Sequence, residues 1–162
     1  MKRQDTSPLV GAGYALPFAL ITLLFFLWGF ARAILDVLNK HFQNVLDISR
    51  THSTLIQVTT YLCYFLMAVP AGLFINRFGY RRGVLFGLTL FAAGSFLFIP
   101  ADAVGTFGMF LLALAVLGCG LTFLETAANP YSTELGPHET ATSRLNLSQS
   151  FNGLGCVLAP LV

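Results

Sequence analysis

Long uncharged apolar stretches alternate with short polar breaks along this chain, and the alternation predicts its elements. A helix rises about 1.5 Å per residue, so crossing roughly 30 Å of hydrocarbon takes about 20 apolar residues. Five segments meet or approach that length, at 17–39, 54–75, 83–99, 107–134 and 145–162. The connections predicted between them are short, at 40–53, 76–82, 100–106 and 135–144, and residues 1–16 form a tail ahead of the first span. Gly and Pro fall where spans end or bend, at Pro70, Gly72, Gly79, Pro100, Pro130 and Pro137. No polar stretch is long enough to build a second, soluble domain. The fifth span has no helix after it to pair with, so the pattern predicts a piece of a longer bundle.

Composition sharpens this picture. Hydrophobic residues make up 56% of the 162 and charged residues 10%, against roughly 25% charged in soluble domains. A chain of this kind meets lipid over much of its surface. The net charge of +2 and the lack of a basic run beyond Arg81-Arg82 argue against a nucleic acid partner. Cys63, Cys119 and Cys156 fall inside spans with neither metal-binding spacing nor secretory pairing, so they read as small apolar residues. With no nucleophile–base pair, phosphate loop or metal-ligand cluster, the sequence predicts no enzyme, no bound metal and no organic cofactor. Ala31-Arg32-Ala33 imitates the cleavage site of a signal peptide, but the apolar run continues past it.

Lys and Arg are unevenly shared between alternate connections. One side holds Lys2, Arg3, Arg77, Arg81, Arg82 and Arg144, the other only Lys40 and Arg50, and Arg32 lies within a span. By the positive-inside rule this predicts a cytoplasmic amino terminus.

Polar residues that break the lipid pattern are the candidate chemistry. Arg32, Asp36 and Glu125 sit in or near spans, where each ionised group costs about 2.5–3.5 kcal/mol at a helix centre and therefore faces a cavity or a partner. Arg32 and Asp36 are four residues apart on one helical face, spaced for an ion pair. Near a span end they also suit the lipid–water interface, so both readings stand. Glu125 lies well inside its span, with Thr122 and Asn129 on the same stripe, and Pro130 leaves a carbonyl without its helical donor. A simple hydrogen bond to a neighbouring helix is the bland alternative. Asn146, Gln149 and Asn152 recur every three residues in the fifth span, and amides offer donors and acceptors that suit a hydroxyl-rich ligand. Gln57, Tyr61, Tyr64 and Ala68 share a face of the second span, fit equally for stacking on a sugar or for packing between helices. Gly118, Gly120, Ala127, Ala128, Gly153 and Gly155 read as close helix contacts.

FFLWGF at 25–30 followed by Asp36, LETAANP at 124–130 and RLNLSQSFN at 144–152 together resemble the fucose/galactose/glucose:proton symporters of the major facilitator superfamily. The pattern is closest to the L-fucose:proton branch and covers nearly the whole chain. Gly72, Asn76, Arg77, Gly79 and Arg81 resemble the superfamily's loop motif between spans two and three, which helps lock its two halves together. Asn76 stands where that motif usually has Asp, and Tyr80 where it has Arg. The resemblance implies an all-α membrane protein of twelve helices in two six-helix halves, of which this chain supplies about five from the amino-terminal half. It implies that Asp36 carries the coupling proton and that Glu125 lines the sugar cavity and shares in coupling. It places Gln149 and Asn152 in the same cavity, and the residues offer Asn129, Gln57 and Tyr61 as further sugar contacts. Leu35 stands where many members have Asn, Lys40 where a Pro is common, and Arg32 where the fucose branch has a neutral polar residue.

The expected function is thus proton-coupled sugar transport by alternating access in a cell inner membrane. Its expected partners are a sugar, the bilayer and the carboxy-terminal helices. Rival readings are a non-transporting sensor or assembly subunit of the same fold, or an inactive truncated remnant.

Overall fold

In the computed structural model, which describes residues 8–45 and 50–161 and the side chains of 8–37 and 54–161, the elements described are helical. They are α1 (Ala15–Val45), α2 (Arg50–Phe78), α3 (Tyr80–Val104), α4 (Phe107–Glu134) and α5 (Ala141–Leu158), with 3-10 turns at His138–Thr140 and Ala159–Leu161. Among these, Ala15–Val37, Thr54–Phe78, Tyr80–Val104 and Phe107–Glu134 are long and apolar enough to cross a membrane. The shortest, of 23 residues, extends about 35 Å. The fifth helix has 18 residues, ATSRLNLSQSFNGLGCVL, and does not join that group because its Ser, Thr, Asn, Gln and Arg side chains offset its apolar ones. The side chains of Lys2, Arg3, Lys40 and Arg50, used in the charge count, lie outside the described residues.

Helix boundaries differ from the sequence reading for local reasons. The break expected at 76–82 shrinks to Gly79 alone, since α2 ends at Phe78 and α3 begins at Tyr80. Gly79 has φ of 86°, a left-handed conformation that glycine adopts without the steric cost of a Cβ. Its N–H still bonds the Ile75 carbonyl at 2.7 Å, and its own carbonyl accepts from Gly83 at 3.1 Å, so the chain reverses with both of the glycine's backbone groups bonded. The third span, expected to end before Pro100, runs on to Val104. Gly105, at φ 62°, then closes it by donating to Ala101 and Asp102. Pro70 and Pro130 also sit inside continuous helices.

The chain divides into two compact units, one of Met1–Val37 with Ala128–Val162 and the other of Leu38–Ala127. In the second, α2, α3 and the first part of α4 approach through glycine. A Cβ at Gly94 would fall 2.5 Å from the Leu117 nitrogen, and one at Gly120 equally close to that of Phe91. Phe74, Phe86 and Phe123 fill the space these contacts leave, with ring centroids 4.9 to 5.6 Å apart. Lipid is as apolar as these side chains, so close packing rather than water exclusion holds the helices together.

In the first unit α1 and α5 cross at Gly29 and Gly155. A Cβ on Gly29 would meet the Asn152 carbonyl, and one on Gly155 would meet the Phe26 carbonyl and lie 2.8 Å from the Phe30 nitrogen. Phe25 and Trp28, from the FFLWGF stretch, are buried packing residues, their rings 5.5 Å apart. Gly155, Gly118, Gly120, Ala127 and Ala128 are all buried as packing positions, while Gly153 is exposed with open space around it. Arg144, counted above as a loop charge, is a fully buried residue in the first turns of α5.

Candidate functional site

The α5 amides do not form one stripe. Three residues turn a helix by about 300°, so each step from Asn146 to Gln149 to Asn152 slips about 60° around the axis. Asn146 and Gln149 are exposed, whereas Asn152 is half-buried and turned toward α1. There its Nδ2 donates to the Phe25 carbonyl at 3.0 Å. The face of α5 that meets α1 runs through Ser148, Asn152, Gly155 and Cys156. Ser148 Oγ lies 3.3 Å from Thr22 Oγ1 in a buried contact, and Cys156 Sγ donates weakly to the Gly29 carbonyl at 3.4 Å. A spacing of four rather than three marks this face in the sequence.

Gln149 and Asn129 are two predicted sugar contacts joined directly by a hydrogen bond. Gln149 Nε2 donates to Asn129 Oδ1 at 2.9 Å. Asn129 stands on α4 just before Pro130, in a turn held by side chains. Ser132 Oγ donates to the Asn129 carbonyl at 2.8 Å and Thr133 Oγ1 to the Pro130 carbonyl at 2.6 Å. Pro130 has no N–H to give the Thr126 carbonyl, so these bonds support a turn whose backbone ladder is incomplete.

Glu125 is half-buried on the same continuous helix, four residues before Asn129. Around it Thr122 Oγ1 bonds back to the Gly118 carbonyl and Thr126 Oγ1 to that of Thr122, at 2.9 and 2.7 Å. Those hydroxyls are thereby folded onto the helix. Arg32 and Asp36 are both exposed on α1, one turn apart. In the other unit Gln57 and Tyr61 are exposed on α2, Tyr61 by 62%. Of the loop-motif residues, Asn76 and Arg77 end α2, Gly79 makes the turn and Arg81 opens α3, while Gly72 stands earlier in α2. Arg77 lies over the Phe78 ring at 5.6 Å, near the helix end where positive charge is favoured.

Sequence reasoning missed Thr22, Ser148 and the burial of Arg144. The first two look like ordinary spacers in an apolar run, and an arginine beside a turn reads as solvated. No group of three or more potential metal ligands occurs among the described residues.

Comparison with known proteins bears on the family and the fold. The chain is 46% identical over 157 residues to a glucose/galactose transporter of Brucella abortus, covering 97% of this chain and 38% of that protein. It is 47% identical over 149 residues to an L-fucose-proton symporter of Haemophilus influenzae, covering 92% of this chain and 35% of the relative. The crystal structure of the Escherichia coli fucose:proton symporter superposes with a TM-score of 0.80 at 40% identity, over 91% of this chain and 35% of that one. The chain thus spans little more than a third of the length of these relatives, all of them transporters rather than enzymes by name. The superfamily's sequence profile runs from residue 18 to residue 162, and with the helical fold in hand it follows that this chain belongs to the Major Facilitator Superfamily.

Proposed function

We propose that the chain is the amino-terminal part of a proton-coupled sugar transporter of the L-fucose, galactose or glucose class, working by alternating access in a cell inner membrane. The amide pair of Gln149 and Asn129 carries this reading. With one bond made between them, Gln149 Oε1 and the Asn129 Nδ2 hydrogens have no other partner among the described residues. Together they offer an acceptor and donors at one spot, the complement of a sugar hydroxyl. The transporter names of the relatives support the substrate class.

In this mechanism Asp36 takes up and releases the coupling proton, and Glu125, one turn before Asn129 on α4, adds a carboxylate that binds sugar and shares in coupling. Asn152 contributes its Oδ1, since its Nδ2 is engaged by α1. Rocking of one helix bundle against the other then exposes the loaded site to alternate sides. The charge asymmetry supports a cytoplasmic amino terminus. The working partners are the sugar, the bilayer and the further helices of a two-half fold.

Uptake of L-fucose, D-galactose and D-glucose into vesicles containing the full-length protein tests this reading. An inward proton gradient drives accumulation of one of them, and Asp36→Asn abolishes that accumulation. Sugar binding with no uptake under any gradient replaces transport by sensing.

A further inference from the structure

Arg144 is the most deeply buried charged side chain described, with no exposed surface. A buried guanidinium persists only where its donors are met. Here they are met by oxygens from three separate segments. Nε donates to the Ser132 carbonyl at 3.1 Å, and Nη2 to that of Thr133, both in the last turn of α4. Nη1 reaches the Pro137 carbonyl at 3.0 Å and Thr140 Oγ1 at 2.7 Å in the connecting turn. It also reaches the Leu9 carbonyl at 2.9 Å, in the segment ahead of α1. The final carbonyls of a helix are its negative pole, so the charge is balanced by α4 itself.

These bonds form part of a closed ring. Ser132 accepts from Arg144 through its carbonyl and donates through its hydroxyl to the Asn129 carbonyl. Asn129 accepts from Gln149, and five residues of α5, about 7.5 Å of helix, lead back to Arg144. Two crossings at different heights fix the angle between two helices where one contact leaves them free to pivot. The Pro130 turn, lacking a backbone bond, needs the second crossing most. The amino-terminal segment joins the ring as a strap: Gly11 donates to the Leu135 carbonyl at 3.2 Å, and Thr140 Oγ1 lies within 3.3 Å of the Pro8 and Leu9 carbonyls. Gly136 leaves the room for it, since a Cβ there would fall 2.7 Å from Arg144 Nη1 and 2.8 Å from the Gly11 nitrogen.

We propose that Arg144 is a positioning residue for the Asn129–Gln149 amide pair, setting the last turn of α4 against α5 while clamping residues 8–14 over their junction. Lysine does not substitute for it, because an ammonium is a point donor without the planar fork that reaches three segments. The binding half of this inference rests on the sugar reading of the amide pair; the clamping half does not.

The test uses the full-length protein in detergent with Arg144→Lys, Gly136→Ala and Gln149→Ala. Hydrogen exchange over residues 8–18 and calorimetric affinity for L-fucose, D-galactose and D-glucose are the readouts. Arg144→Lys and Gly136→Ala each speed exchange at Gly11 at least tenfold and weaken affinity for the bound sugar by about fivefold to tenfold, the loss of roughly one hydrogen bond. Gln149→Ala weakens affinity without changing exchange at Gly11. Unchanged exchange in Gly136→Ala, or in Arg144→Lys where that variant folds, overturns the clamp. Faster exchange with unchanged affinity, while Gln149→Ala does lose affinity, overturns the positioning role. If Gln149→Ala binds sugar normally, the sugar reading fails instead, and the exchange result alone decides the clamp.

Discussion

The two units solve the same problem in different ways. Helices α2, α3 and the front of α4 meet through glycines and fill the remaining space with Phe74, Phe86 and Phe123. Helices α1 and α5 also meet through glycines, at Gly29 and Gly155, but dress the crossing with Thr22, Ser148, Asn152 and Cys156. Aromatic packing holds by shape alone and is indifferent to what lies nearby. A cross-helix hydrogen bond is directional and places its polar group to within tenths of an ångström. The polar crossing belongs to the unit that carries Asn129 and Gln149, so the amide pair proposed to bind sugar sits beside directional contacts.

The comparison predicts a graded set of effects on thermal unfolding of the full-length protein in detergent. Gly94→Val comes first. Its Cβ alone would reach 2.5 Å from backbone, so α3 and α4 must part, and the cost exceeds the usual overpacking range of about 1–3 kcal/mol. A mild effect there means that the glycine crossings do not set the interhelical distance.

Phe123→Ala is next, at about 2 kcal/mol. That is below the roughly 3–5 kcal/mol of a soluble core, because exposure to lipid adds no transfer penalty. A loss of the full soluble size shows that water reaches this cluster.

Asn152→Leu removes the bond to Phe25 and costs about 1 kcal/mol, within the range of interhelical bonds in lipid. Sugar affinity falls alongside. A larger loss than for Phe123→Ala reverses the comparison, making the polar crossing the stronger of the two. The smallest effect is the coupling between Thr22→Val and Ser148→Ala in a double-mutant cycle, about 0.6 kcal/mol for a buried bond of 3.3 Å. Additive losses show that the two hydroxyls do not interact.

Much of the fold was legible in advance. Four of the five predicted spans correspond to helices long and apolar enough to cross a bilayer, and 107–134 has the bounds of α4 itself. The resemblance carried by FFLWGF, LETAANP and RLNLSQSFN leads to the family that the comparisons establish. Helix ends were read less well. Pro100 looked like a stop because proline lacks a donor, yet the helix passes it and ends at the left-handed Gly105. Of the site, the Asn129–Gln149 contact joins two residues that were singled out separately, whereas the inward turn of Asn152 follows from a helical phase that a spacing of three disguises.

By itself the sequence determined which stretches are apolar enough to lie in lipid, since that depends only on the summed solvation of each residue along a helix. It also selected the polar residues worth attention, because a costly group inside an apolar run stands out by composition. Which neighbour satisfies each of those groups was decided in three dimensions. Arg144 has the same side chain whether it faces water or the end of α4, and only the arrival of Ser132, Thr133, Pro137 and Leu9 around it makes burial favourable. Hydropathy is a sum over single residues, whereas a hydrogen bond needs a particular partner at a particular distance, and that partner is brought in by the fold.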